Sequence, residues 1–358
     1  MKKIDWYIFK KYLTTFVFIM VLLIAITIVI DISEKIDSLL EGGIPLKEVI
    51  TDYYFGFIPY ISSLLAPFFI LVAVIFFTSQ LAERSEIIAI LNSGTSFYRF
   101  LLPYFYGALF FFFVLLIGNH FIIPEANKKR IAFEDKYLYK VSNNAAYNFH
   151  RAFPTGEFIF VESYRPYDAS AYRFSLEKFN KGSMVLKLRC DRIEWIKKTK
   201  KWRLNNYYRR ELVGEQFKLT KGTVLDTVLP FEPSDFTFTT NTKEMMTTPE
   251  LNKYISDMYK AGQSNLEFYE VEKQRRTSIP FSIFIMTLIG VSLASRKLRG
   301  GLGGHIVLGI GLSATYEIIM KFSVTFSTNS SLPAFFGVWI PNFIFGIIAI
   351  YLLKKAPK

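Results

Sequence analysis

Residues 79–100 read SQLAERSEIIAILNSGTSFYRF, a charged stretch punctuated by Ser and Gly between two almost unbroken apolar runs. Those flanking runs decide the fold. A helix needs about 20 mostly apolar residues to cross the ~30 Å hydrocarbon core of a bilayer, and residues 56–78 and 101–123 both meet that requirement. Segments 12–32, 278–295, 303–324 and 332–353 meet it as well. Composition agrees, since 51% of the 358 residues are hydrophobic and 17% aromatic, with Phe, Ile and Leu in blocks. The first run follows lysines, as a signal peptide would. It is too long for a signal-peptide core of about 7–15 residues and has no small-residue cleavage site, so we read it as a retained helix.

Short basic flanks stay in the cytoplasm and so set orientation. With the N-terminus inside, the inner segments carry Lys2, Lys3, Lys10, Lys11, Arg84, Arg99, Arg296, Lys297, Arg299, Lys354, Lys355 and Lys358, whereas the short outer loops carry only Lys35 and Lys47. Both termini are therefore expected in the cytoplasm. The net charge of +13 reads as this membrane bias and calls for no nucleic acid.

The chain divides into residues 1–124 with three spans, a polar insert at 125–275, and residues 276–358 with three more. GEFIFVES, AYRFSLEKF, SMVLKLRCDRIEW, KWRLNNYYRREL and FTFTT alternate apolar and polar residues, with NKGS and KTKK as turns between them. That rhythm predicts an all-β domain of sandwich or jelly-roll type, on the periplasmic side by the topology above. From Pro249 to Arg276 the rhythm becomes helical again. The single cysteine, Cys190, excludes an intrachain disulfide, leaving the domain to be held by its core.

Enzymatic motifs are absent. The histidines are His120, His150 and His305, with no HExxH and no paired cysteines, so a zinc site is not expected. RGGLGGH at 299–305 is glycine-rich, but no GxxxxGK[ST] occurs and no strand precedes it; a tight inner turn is expected there. No serine sits in a GxSxG elbow. No cofactor is called for.

Read as a helix, Ser79 to Asn92 places Leu81, Ile88 and Leu91 near one side, with Glu83, Arg84 and Glu86 off it. Such a helix either rests at the membrane interface or offers its carboxylates to a cytosolic engine. Glu317 and Lys321 lie four residues apart within a span, hence on one helix face. Intramembrane charges mark a cavity, a pathway or a paired structural bridge.

LAERSEIIAILNSGTSFYRF resembles the signature of the LptF/LptG permease family, in which a serine and glutamate open a coupling helix that ends at a small pair. IIPEANKKR at 122–130, with Pro124 and Asn127, resembles that family's exit from its third span. LNKYISDMYKAGQSNLEFYEVEKQRRTSIPFSI, with Gly262 and Pro280, resembles its helical re-entry and fourth span, and WIPNFIF its sixth. The resemblance covers essentially the whole chain, and ERSE is closer to LptG than to LptF. It implies an α-helical membrane protein with six transmembrane helices and a periplasmic jelly-roll domain inserted between helices 3 and 4. The implied function is a permease subunit of an ABC transporter that extracts lipopolysaccharide from the inner membrane.

The partners so implied are a second six-span permease (LptF-like), a cytoplasmic ATPase dimer (LptB-like) and a periplasmic bridge (LptC/LptA-like). A separate ATPase also follows from the missing nucleotide-binding motif. Under the resemblance, Glu83, Arg84, Ser85 and Glu86 belong to a coupling helix near 80–93. Lys35, Glu317 and Lys321 belong to a lipid-binding cavity. Phe158, Phe160, Phe174, Leu176, Leu186 and Leu188 line a jelly-roll groove or form its core. Without the resemblance, the residues leave open an export permease for another lipid or lipoprotein, or a six-span assembly scaffold.

Overall fold

A computed structural model describes residues 3–41, 44–138, 146–153, 156–165, 168–180, 183–214, 216–233, 242–260, 266–296, 301–329 and 332–356. Lys2, Gly262, Lys297, Arg299, Lys358 and the FTFTT segment therefore lie outside the described residues. The chain forms two compact units, one of Met1–Arg130 with Glu267–Lys358 and one of Ile131–Leu266.

The first unit holds six helices long and apolar enough to cross a membrane. Helix α1 (Lys3–Glu41) contains no Gly or Pro and runs unbroken. Ile8, Tyr12, Phe16 and Ile19 recur at helical spacing and are buried, while Val17, Phe18, Val21 and Leu22 face outward. After α2 (Leu46–Glu48), a π-helical turn at Val49–Tyr54 leads into α3 (Phe55–Leu64). The expected second span is broken: Leu65 leaves the helical region at φ −95° and ψ 6°, and α4 (Ala66–Glu83) restarts with Pro67 in its first turn, where the missing N–H costs nothing. Helix α4 is the buried centre of the unit, with Phe69, Ile70, Leu71, Val74, Ile75 and Phe77 each almost wholly enclosed.

Next come the short α5 (Glu86–Asn92) and α6 (Phe97–Ile117). A π-helical turn at Gly118–Ile122 then leads to α7 (Ile123–Phe133) and a further π-helical turn at Glu134–Leu138. Gly107 of α6 meets the Tyr12 ring so closely that an added Cβ would sit 2.2 Å from it, which ties α1 to α6.

Pro280 and Pro341 lie inside the continuous helices α10 (Glu267–Ala294) and α12 (Ala334–Lys355). A proline removes the N–H that would bond the carbonyl four residues back. For Pro280 that carbonyl is Arg276 O, and the Asn119 side-chain amide points to it at 3.4 Å while also accepting from Ser63. Beside Pro341, Asn342 donates to Ser278 O and Ser278 Oγ at 2.9 Å each and accepts from Tyr316 of α11 (Gly301–Asn329) at 2.9 Å. One buried amide thus joins three helices where two of them are weakened.

The second unit carries the all-β domain inserted between the third and fourth spans. Strands β1 (Ala146–Phe153), β2 (Glu157–Arg165), β3 (Ser170–Asn180), β4 (Ser183–Ile196), β5 (Lys201–Val213) and β6 (Gln216–Thr227) form one antiparallel sheet in consecutive order. Helices α8 (Thr242–Met245) and α9 (Thr248–Lys260) follow. Strands β1 and β6 were not expected from sequence, although Phe217–Lys218–Leu219 carries the alternation.

Partners across a sheet share a face, so Ile159, Leu176 and Leu188 form one core row and Val161, Phe174 and Cys190 the next. The following core residues are Tyr164, Ala171, Ile193 and Leu204, an odd step of three along each strand. The slip falls on one row, Glu162, Arg173, Asp191 and Asn206. Arg173 (φ 49°) and Asn206 (φ 54°) adopt the left-handed conformation there, which costs roughly 1–2 kcal/mol per residue. Glu162 and Arg173 pair at 2.8 Å, and Asn206 donates to Asp191 at 3.1 Å. The sheet is creased along that row, and Trp202, whose indole N–H donates to Phe231 O at 2.9 Å, plugs the core beside it.

Candidate functional site

Within the first unit a cavity of about 310 Å³ opens at the α3–α4 break. Leu65 and Pro67 form part of its wall because the helix restarts there, and Ile279, Met320 and Val324 add apolar surface. Its charges are Arg275, Glu317 and Lys321. Arg275 pairs with Glu272 at 3.3 Å. Glu317 and Lys321 form no ion pair with each other among the described residues, so the intrahelical bridge that their spacing allows is not made. The pocket thus sets two cations and one carboxylate in a largely apolar wall.

Lys35 does not line this cavity. Its ammonium donates to Asp31 at 2.6 Å and to the Tyr53 hydroxyl, and lies over the Tyr53 ring at 4.6 Å. Asp31 is buried and also accepts from Tyr53 at 2.9 Å and Tyr54 at 3.1 Å. Of the three expected cavity residues, the structure brings Glu317 and Lys321 together and puts Lys35 in a separate cluster. Sequence reasoning missed Arg275 and Asp31. Asp31 precedes Lys35 by four residues, the same spacing that drew attention to Glu317 and Lys321.

The expected 80–93 helix is two pieces. Ser79 to Glu83 is the last turn and a half of α4, Arg84 and Ser85 interrupt it, and α5 starts at Glu86. Ser85 is left-handed at φ 58° and Gly94 at φ 82°, so both ends of α5 are sharp corners. Glu83, Arg84 and Ser85 are exposed at the first corner, and Glu86 is half-buried, accepting from the Tyr7 hydroxyl at 3.1 Å. Ile87 is the residue that anchors α5, while Ile88 is exposed. Ser79 meets His305 Nδ1 at 3.1 Å, tying α4 to the start of α11.

The six sheet residues divide between two faces. Phe174, Leu176 and Leu188 are buried in the core, with Leu186 packed against it. Phe158 and Phe160 point the other way, Phe158 being exposed. Cys190 lies in the core, and burial, with Asp191 adjacent, pushes its thiol up to about 12.

Among the described residues, six apolar helices with an antiparallel β domain inserted between the third and fourth mark a multi-pass membrane protein. The chain belongs to the family of the lipopolysaccharide export system permeases LptF/LptG, which it matches over residues 6–355. It is similar to the lipopolysaccharide export system permease protein LptG of Haemophilus influenzae, with 28% identity over 106 residues. That match spans 29% of this chain and 29% of the relative's length.

Proposed function

We propose that this chain is one permease subunit of an ATP-driven transporter that extracts lipopolysaccharide from the bacterial inner membrane and passes it to a periplasmic bridge. The match to LptF/LptG along residues 6–355 carries the reading. The cavity supports it chemically, because acyl chains and lipid phosphates ask for apolar wall and cations together, and Arg275 and Lys321 supply the cations. In this reading both termini and α5 face the cytoplasm, and the β domain is periplasmic. ATP is hydrolysed by a cytoplasmic ATPase dimer that grips the chain at Glu83, Arg84, Ser85 and Glu86. A second six-span permease completes the membrane part.

The experiment is purification of the tagged chain in mild detergent. A soluble ATPase and a second six-span chain should co-purify, and Glu83→Lys with Glu86→Lys should lose the ATPase while leaving the chain in the membrane. Purification of the parent chain alone, with no ATPase, speaks for an assembly scaffold instead.

A further inference from the structure

Helix α5 lies between left-handed corners at Ser85 and Gly94, and a displacement of it would reach other helices through the side chains that join this corner to them. Among the described residues two side-chain bonds reach α1 from this corner, one from α5 itself and one from the first turn of α6. The Tyr7 hydroxyl donates to Glu86 of α5 at 3.1 Å. Asp5, buried in the first turn of α1, accepts from Arg99 at 2.6 Å, and Arg99 lies in the first turn of α6, five residues past Gly94. The Arg99 backbone N–H is itself capped by Ser96, which fixes the turn that carries the guanidinium.

A buried carboxylate opposite a partly exposed guanidinium is an expensive arrangement unless both partners are held in place. Plain helix packing does not require it here, because Ile8, Tyr12 and Phe16 already bury the same side of α1. Further along, one side of α1 stays exposed at Val21, Leu22, Ile26, Val29 and Ile30 while Ile24 is buried, and the helix reaches its next polar clamp at Asp31. With 39 residues at 1.5 Å each, α1 is a rod of roughly 58 Å. It is bound near one end by the Asp5–Arg99 ion pair and near the other by the Tyr53 and Tyr54 hydroxyls that donate to Asp31.

Building on the permease reading above, we infer that Asp5 and Arg99 are positioning residues that fasten α1 to the α5–α6 corner. A displacement imposed on α5 then travels along α1 toward Asp31 and Lys35. Tyr7–Glu86 is the second, weaker tie.

The test uses the complete purified complex in vesicles of phosphatidylethanolamine and lipopolysaccharide. ATP hydrolysis and ATP-dependent removal of lipopolysaccharide to a soluble acceptor are measured on the same sample. Asp5→Arg and Arg99→Asp should each keep hydrolysis within about twofold of the parent and lower the lipid removed per ATP at least tenfold. The double variant, with the charges exchanged, should recover the parent ratio to within about threefold. An unchanged ratio in both single variants overturns the inference. So does a parallel fall of both activities that the exchanged pair does not rescue, which is the signature of a merely structural ion pair. A parent complex that hydrolyses no ATP refutes the permease reading itself, and the inference with it.

Discussion

The Lys35 ammonium lies 2.6 Å from the Asp31 carboxylate, one helical turn back on α1, and the same carboxylate accepts from Tyr53 and Tyr54. The Lys35 charge is thus already balanced, in contrast to Lys321, which has no ion pair with Glu317. The two cations assigned one role from sequence occupy different electrostatic settings.

Removing one member of a buried charged pair strands the other. Asp31 is the more enclosed partner, with 9% side-chain exposure against 23% for Lys35. Lys35→Met should therefore destabilise more than Asp31→Asn, by about 1–3 kcal/mol, since the stranded carboxylate keeps only its two tyrosine donors. Thermal unfolding of the two variants in detergent checks the order, and equal midpoints would show that the cluster is too wet to matter.

Lys321 offers a sharper separation. A charge inside a span is costly, less so toward its ends, and Lys321, exposed and with no ion pair to Glu317, is expected to answer to a ligand. Lys321→Met combined with Glu317→Leu should fold and insert normally yet bind lipopolysaccharide at least tenfold more weakly than the parent. Parent-level binding by that double variant would make Lys321 structural only.

Asn342 joins α10, α11 and α12 through Ser278 and Tyr316. Asn342→Leu leaves the Tyr316 hydroxyl and the Ser278 carbonyl without that partner, a loss of about 1–3 kcal/mol. The expected result is a lower unfolding midpoint with the β domain intact, read by protease resistance of the two units. Unfolding of both units together would contradict it.

Burial and Asp191 hold the Cys190 thiol protonated up to about pH 12. A raised thiol pKa means that the unfolded chain ionises first as pH rises, so this group favours the folded state fully below its ordinary value of 9.0 and progressively less as pH climbs toward 12. At pH 8 a maleimide should label the native protein less than one-tenth as fast as the denatured one. Rapid labelling of the folded chain would show that the sheet core is open at Cys190.

Membrane architecture was legible because 20-residue apolar runs have few alternative readings, and strands β2 to β5 were legible because they alternate. Helix breaks were not. The break at Leu65 is marked in sequence only by Pro67 two residues on, inside an otherwise apolar run, and the Arg84–Ser85 corner carries no Gly or Pro of its own. The groove residues failed to stay together for a local reason: Phe158 and Phe160 alternate as well as Ile159 and Val161, and sequence alone does not say which set faces the core. The crease through Glu162, Arg173, Asp191 and Asn206 then shifts the face again within each strand. Arg275 was hidden because it sits among the charged residues that lead into the fourth span, outside any apolar run.

The most direct measurement is ATP-dependent lipid removal by the purified complex from vesicles that contain both phospholipid and lipopolysaccharide, with the released lipid identified by mass spectrometry. The permease reading predicts that lipopolysaccharide leaves the vesicles while phospholipid stays, and that the release stops when ATP is withheld. Release of phospholipid in its place, or no ATP-dependent release at all, would contradict it.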